Sequence, residues 1–176
     1  MGLCGPSADV EFSAMNLTKY LAAVLLAFTL AACGSSDPKD LIKEGNTALG
    51  SNDSHLALSK FEEALKSLKE GDALYLDARL GKVEALIAGE PKRATAEFLE
   101  LSAKFPNKVG NKEFIYMGGK MVSAHQYLDA IDLVHNGIQR AGGEAPALMV
   151  MIDRIKKEAA SDKGVSDKLK GLGYTN

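Results

Sequence analysis

The chain of 176 residues carries 21 Lys and Arg against 23 Asp and Glu, a formal net charge of -2. That balance excludes a general nucleic-acid binder, which carries a clear basic excess, and an apolar fraction of 46% argues against disorder throughout. Two cysteines cannot build a disulfide framework, and abundant Ala, Leu, Lys and Glu after residue 38 favour helices.

The N-terminal region has the layout of a secretory signal. Met15 and Lys19 precede a charge-free stretch, and the apolar core of that stretch, residues 21–32, ends in small residues before Cys33. This core is shorter than the roughly 20 apolar residues that a membrane-spanning helix needs. The pattern therefore predicts a signal peptide over residues 15–32.

Residues 1–14 do not fit a signal peptide. They place Asp9 and Glu11 where a signal normally carries positive charge. Met15 is therefore the predicted start of translation, and Cys4 would then never be made. On this interpretation, residues 1–14 come from a mis-called upstream start.

The tetrad Leu-Ala-Ala-Cys at residues 30–33 resembles the lipobox of bacterial lipoproteins. The resemblance implies that the Cys33 thiol receives a diacylglyceryl group, that the leader is cut before Cys33, and that the new amino terminus is acylated, for example with palmitate. Gly34 follows, and not the Asp that typically retains a lipoprotein at the inner membrane. The resemblance therefore implies a lipid anchor at the periplasmic face of the outer membrane. The alternative is a buried cysteine after an uncleaved helix.

Residues 33–37 are predicted to form a tether, and residues 38–176 a helical domain. Asp37 and Pro38 are typical of a helix start, with Asp as the N-cap and Pro at the first helical position. Apolar residues then recur at three- and four-residue steps, and Gly-rich or capping breaks separate the segments. Seven helical segments and a final short turn of helix are predicted, over residues 38–50, 54–69, 73–88, 91–105, 111–124, 126–141, 145–161 and 166–172.

A spacing pattern repeats along this domain. It consists of a glycine, an alanine, a larger apolar residue and a fourth residue, and its starting glycines lie 36 and 37 residues apart. Each unit is predicted to be a helix, a tight turn and a second helix, in which the glycine and alanine allow close approach of the two helices. The positions are Gly45, Ala57, Phe61 and Ala64, then Gly81, Ala94, Phe98 and Leu101, then Gly118, Ala130, Val134 and Gly137.

The pattern resembles the tetratricopeptide repeat, whose period is about 34 residues. The third unit departs from it, because Val134 replaces the aromatic residue and Gly137 the alanine. The resemblance implies an all-α fold, an α-α superhelix of about three helix-turn-helix repeats in which the helix at 145–161 caps the last apolar face. A non-repetitive helical bundle is the alternative.

No catalytic residue, metal site or cofactor is predicted. His55, His125 and His135 lie at no metal-motif spacing, and the HExxH, CxxC and GxSxG motifs are absent. The run MGGK at residues 117–120 lacks the first glycine of a phosphate loop and has Met121 in place of the Ser or Thr that binds magnesium. The sequence therefore favours a protein that is not an enzyme.

In tetratricopeptide folds, the first helix of each unit lines a concave groove that holds a peptide or a partner helix. In the repeat register, Asn46 and Lys112 match two positions of the family's carboxylate clamp. Ile42 and Tyr116 stand where that clamp has Lys and Arg, so binding of a chaperone tail does not follow. The partner-binding residues that the resemblance implies are Ile42, Asn46, Leu49, Tyr75, Arg79, Lys82, Lys112 and Tyr116.

One face of the first helix of the second unit carries Tyr75, Arg79, Lys82 and Leu86, which follow each other at steps of four, three and four. The repeat register predicts that this face looks into the groove. The alternative is that Leu86 is a core residue and that the two cations are solvated.

The sequence thus predicts a lipid-anchored module that binds an unidentified protein or peptide in the periplasm. It would be a scaffold or assembly accessory of an envelope complex such as a pilus, secretion or outer-membrane assembly machine. It would contact the membrane through the lipid on Cys33 and would bind no nucleic acid. Two alternatives are left open: a small-ligand carrier or enzyme with a site between helices, and a spacer that binds cell-wall polymer.

Overall fold

The computed structural model describes residues 37–143 and 145–174. The predicted upstream extension, signal peptide and lipidation site lie outside these residues. Within the described ranges the chain forms eight α-helices and no strand. They are α1 Pro38–Gly50, α2 Ser54–Leu65, α3 Tyr75–Leu86, α4 Pro91–Lys104, α5 Asn111–Ser123, α6 Tyr127–Arg140, α7 Pro146–Glu158 and α8 Lys163–Gly171.

The all-α prediction is confirmed, and the helix starts follow the capping signals in the sequence. The Asp37 side chain accepts from the Lys39 amide at 2.9 Å at the start of α1, and Asp53 accepts from the Leu56 amide at 3.0 Å at the start of α2. Prolines open α1, α4 and α7. None of the described helices is long and apolar enough to cross a bilayer.

Three predicted boundaries differ by three or four residues from the structure: the ends of α2 and α7 and the start of α8. Helix α2 ends at Leu65, four residues before its predicted end, where the Ser67 hydroxyl donates to the Ala64 carbonyl at 3.1 Å. Local side-chain bonds of this kind compete with helix propagation. Helix α8 begins earlier than predicted because Asp162 caps it, accepting from the Val165 amide at 3.1 Å.

The helices pack as pairs. Helix α1 packs against α2, and α3 packs against both; α5, α6 and α7 repeat this arrangement. Between these two groups, α4 contacts α3 and α6. The second unit is joined to the third by Phe98 on α4 and Phe114 on α5, which pack edge to face with ring centroids 4.9 Å apart. Helix α8 lies against α6.

The turn inside the second unit differs from the other two. In the first and third units a residue with a left-handed backbone, Asn52 and His125, follows the first helix, and both have a φ of 58°. The α3–α4 turn spans residues 87–90 and is one residue longer than the turns at 51–53 and 124–126. The turn inside the unit is therefore alike in the first and third units and longer in the second.

The residues of the repeated pattern form the contacts between helices. The ring of Phe61 is fully buried between Gly45 on α1 and Gly81 on α3. A Cβ atom at Gly45 would lie 2.8 Å from this ring, and one at Gly118 would lie 2.9 Å from Val134 Cγ2. Glycine thus sets the close approach of the paired helices in the first and third units, as the spacing predicts, whereas Gly81 makes room for Phe61 of the first unit and not for Phe98 of its own.

We expect Gly81→Ala to lower the free energy of unfolding, although alanine is the better helix former. The new Cβ would collide with the buried ring of Phe61, and overpacking of this kind costs about 1–3 kcal/mol. Denaturant unfolding is the measurement. Gly50→Ala is the matched control, because nothing lies within 4 Å of the added Cβ there. Adding Phe61→Leu to Gly81→Ala should recover part of the loss; equal stability of the two alanine variants would contradict the proposed contact.

Candidate functional site

One surface of the molecule is built from α1, α3 and α5, the first helix of each unit. It holds two clefts, of about 250 Å³ and about 440 Å³, which adjoin because Glu84 lines both. The first cleft is lined by Asn46, Asp77, Leu80, Gly81, Glu84, Lys112, Glu113, Tyr116 and Met117. The second is lined by Leu49, Asn52, Ser54, Glu84, Ile87, Ala88, Lys120, Ser123 and Ala124.

A third cleft, of about 320 Å³, continues past the α1–α2 and α3–α4 turns. It shares Asn52, Ser54 and Ala88 with the second cleft and adds charged groups at Asp53 and Glu90. The three clefts together are called the trough below. Because all three repeat units contribute to it, the trough is a property of the assembled fold.

A larger cleft, of about 640 Å³, lies on the first helix pair alone. Its lining comes from α1, α2 and the turn between them, and it includes both partners of the Lys60–Glu44 ion pair, whose charged atoms are 2.6 Å apart. No other helix contributes to it. Asp53 lines both this cleft and the third one, but this cleft involves a single repeat unit, whereas all three units contribute to the trough, which is therefore taken as the candidate site.

Glu84 joins α3 to α5 at the boundary of the first two clefts. Its carboxylate accepts from the Tyr116 hydroxyl at 2.8 Å and lies 2.6 Å from Lys120 Nζ. The same Nζ is 5.3 Å from the centroid of the Tyr116 ring. The Glu84 side chain is only 13% exposed, whereas Tyr116 is 49% exposed and offers its ring to solvent. These three residues are called the Glu84 cluster.

The Glu84 cluster favours the protonated forms of its other two members. Burial, and then the hydrogen bond to Glu84, raise the pKa of Tyr116. The hydrogen bond to Glu84 raises the pKa of Lys120 despite some burial. Both pKa values lie above those of the unfolded chain. The stability that these groups contribute is therefore fully present below about pH 10 and is lost as the pH rises through their raised pKa values.

We expect Tyr116 to ionise at a higher pH than a free tyrosine. The measurement is the phenolate absorbance of the wild type minus that of Tyr116→Phe, followed as the pH is raised. Glu84→Gln should move the Tyr116 titration back toward the ordinary value of about 10, because the negative acceptor is gone. A Tyr116 titration that is unchanged by Glu84→Gln would show that the contact does not form in solution.

Four of the eight sequence-predicted residues line the trough. Asn46, Lys112 and Tyr116 lie in the first cleft, and Leu49 lies in the second. Ile42 does not, since it is 8% exposed and packs in the core of the first helix pair. Its predicted place on the partner-facing surface is therefore revised.

The other three predicted residues lie at the contact between α3 and α4. Arg79 Nη1 donates to the Tyr75 hydroxyl at 3.1 Å, Lys82 Nζ lies 3.1 Å from Glu97 Oε1, and Arg79 Nη2 lies 3.8 Å from Glu97 Oε2. Lys82 also approaches Glu62 on α2. These residues do share one face with Leu86, which is almost fully buried. Leu86 lines the third cleft, but Arg79 and Lys82 meet Glu97 and Glu62 on the second helices of the units instead of the trough.

The trough-facing side of α3 carries Asp77, Leu80 and Glu84. At about 100° per residue, these positions point away from Tyr75, Arg79 and Lys82. Sequence reasoning missed them, and it missed Lys120 on α5 as well. The spacing from Asp77 to Glu84 returns to the same face of α3 after two turns and so places them together, but it does not show that this face is the open one.

Two of the three histidines are engaged in pairs with tyrosines. His125 Nδ1 lies 2.8 Å from the Tyr127 hydroxyl, and His135 Nδ1 lies 2.8 Å from the Tyr174 hydroxyl. Across residues 37–143 and 145–174, no three His, Cys, Asp or Glu side chains come together in a way that could hold a metal ion. The described part of the chain thus offers the trough as its candidate site.

No family model, curated protein or solved structure matches the chain. The function is therefore argued from the residues of the trough and from the sequence before the helical domain.

Proposed function

We propose that the protein is a lipid-anchored interaction module that holds a segment of a protein partner in the trough, at the periplasmic face of the outer membrane. The observation that carries the proposal is the trough itself, to which α1, α3 and α5 all contribute. Three adjoining clefts suit an extended segment better than a compact small molecule.

The polar groups of the first cleft suit recognition of a peptide backbone. Asn46 is exposed, and its amide can donate and accept hydrogen bonds at once, as an extended backbone requires. Lys112 is also exposed and forms no ion pair with any described residue. The ring of Tyr116 adds a large, half-exposed aromatic surface of the kind that anchors interfaces.

The membrane part of the proposal rests on the sequence alone. The lipobox-like tetrad ends at Cys33, and α1 begins at Pro38. A tether of this length would keep the helical domain near the bilayer surface. Such a protein would act as a scaffold or assembly accessory of an envelope complex.

We expect the triple variant Asn46→Ala/Lys112→Ala/Tyr116→Ala to lose the protein partner that the wild type captures from detergent-solubilised envelopes. The contacts that it removes lie on one surface, so its helical circular dichroism should be kept. The double variant Lys92→Ala/Leu128→Ala is the matched control, because both residues are exposed and lie outside the trough. It should capture the partner at wild-type yield.

A photo-crosslinker placed at position 116 should form an adduct with the same partner in cells, and one placed at position 128 should not. Capture by the triple variant at wild-type yield would contradict the proposal. Enrichment of cell-wall polymer in place of a protein would favour the spacer, and a tightly held small molecule in native mass spectra would favour a ligand carrier.

A further inference from the structure

We infer that the trough selects a basic partner segment, an extended stretch whose Lys or Arg side chains enter the first cleft. This inference rests on the proposed function for the location of the partner and adds its chemistry. It rests on three observations: the charges that line the trough, the apolar residues that line the first cleft, and the volume of that cleft.

The charges of the trough are unbalanced. Its lining contains five carboxylates and two lysines, and one of the carboxylates, Glu90, is paired with Arg93 outside the lining at 3.1 Å, which leaves an excess of two negative charges. A cleft of one sign attracts the opposite charge and raises its association rate. The carboxylates are those of Asp53, Asp77, Glu84, Glu90 and Glu113.

Asp77 is the carboxylate best placed to meet a partner. It is exposed, it lines the first cleft, and it forms no ion pair with any described residue. Glu84 lies two turns further along the same face but is bound to Tyr116 and Lys120. Glu113 accepts from the Gly110 amide at 2.8 Å. Lys112 lines the same cleft, so the cleft holds three carboxylates against one lysine, and a cation entering it would meet Asp77 as the carboxylate without an ion pair to a described residue.

The floor of the first cleft suits the aliphatic part of a long cationic side chain. Leu80 is half-buried and Met117 almost fully buried, so both offer apolar surface without projecting into solvent. The Tyr116 ring stands beside them and can receive a guanidinium or ammonium group on its face. Lys and Arg pack their stems on such surfaces while the charged head reaches a polar partner.

The size of the cleft agrees with a single side chain. At about 250 Å³ it is smaller than the roughly 300–1,000 Å³ of pockets for drug-sized ligands. An acidic segment would place its carboxylates against Asp77 and Glu84 and would be repelled. The trough therefore differs in sign from the carboxylate clamp of the tetratricopeptide family.

The test uses two fluorescent Gly/Ser peptides of equal length, one with arginine at every third position and one with glutamate there. The full lipidated chain in uncharged detergent micelles is titrated into each, and anisotropy is measured. We expect the arginine peptide to bind, the glutamate peptide not to bind, and added salt to weaken the complex. Asp77→Asn should weaken binding of the arginine peptide about tenfold, through loss of a charge-assisted contact.

The matched control is Glu63→Gln, which also removes one exposed negative charge but lies on α2, outside the trough. It should change the affinity less than twofold if Asp77 makes a specific contact. Equal losses from the two variants, tighter binding of the glutamate peptide, or no binding of the arginine peptide would overturn the inference. In each of these cases the proposed function would still stand if partner capture depended on Tyr116, so the two failures are distinguishable.

Discussion

Replacing Ala94 with arginine is expected to lower the melting temperature by about 10 °C or more. Ala94 is fully buried on α4, in the same core as Phe98 and Phe114. Arginine there would overpack the helix crossing and bury a charge, which together cost about 3 kcal/mol or more. A loss of this size is a large part of the roughly 5–15 kcal/mol that stabilises a native domain.

Two further arginine variants make the result specific. Ala96→Arg changes an exposed residue of the same helix and should melt close to the parent. Ala57→Arg changes the equivalent position of the first unit, which is also fully buried, and should behave like Ala94→Arg. Thermal unfolding followed by circular dichroism is the measurement. If Ala94→Arg melted at the same temperature as the parent, the repeat register would be wrong.

The repeat register could be predicted because it depends on local spacing. A residue that must pack tightly against the neighbouring helix recurs at a fixed distance from the glycine that makes room for it. Phe61 and Val134 do so in the first and third units, each against the glycine of its own unit. Proline and Asp at helix starts then fix the starts of α1, α2, α4 and α7 to within about one residue.

The orientation of α3 could not be predicted in this way. The helix is packed by α1, α2 and α4, and it also meets α5 through Glu84. Ala78, Val83 and Leu86 are therefore buried on different sides of it, and the hydrophobic pattern does not mark one open face. Only the tertiary packing decides that Asp77 faces the trough and that Arg79 faces α4.

The candidate site was predictable where it follows the repeat and not where it depends on pairs between helices. Asn46, Lys112 and Tyr116 come directly from their distances to the repeat glycines. The bonds of Glu84 to Tyr116 and Lys120 connect residues on different repeat units, and no local sequence pattern predicts such a pair. The acidic character of the trough has the same origin, since it arises from carboxylates on several helices and turns.

Cys33→Ser is expected to abolish both lipidation and membrane retention of the protein. The resemblance to the lipobox implies that the Cys33 thiol is the acceptor of the diacylglyceryl group and that cleavage before it depends on that modification. A single acyl chain binds a bilayer only marginally, whereas several chains on one residue retain a protein stably. Labelling of cells with an alkyne analogue of palmitate, followed by membrane fractionation, measures both effects.

The matched control for this experiment is Cys4→Ser, which removes the other cysteine of the sequence. It should leave labelling and membrane retention unchanged, because translation is predicted to start at Met15. The Cys33→Ser variant should accumulate as an unlabelled precursor that keeps its leader. Label on the Cys33→Ser variant, or none on the wild type, would remove the anchor from the proposal. The trough would then bind its partner without a fixed distance to the membrane, and the envelope location would need another basis.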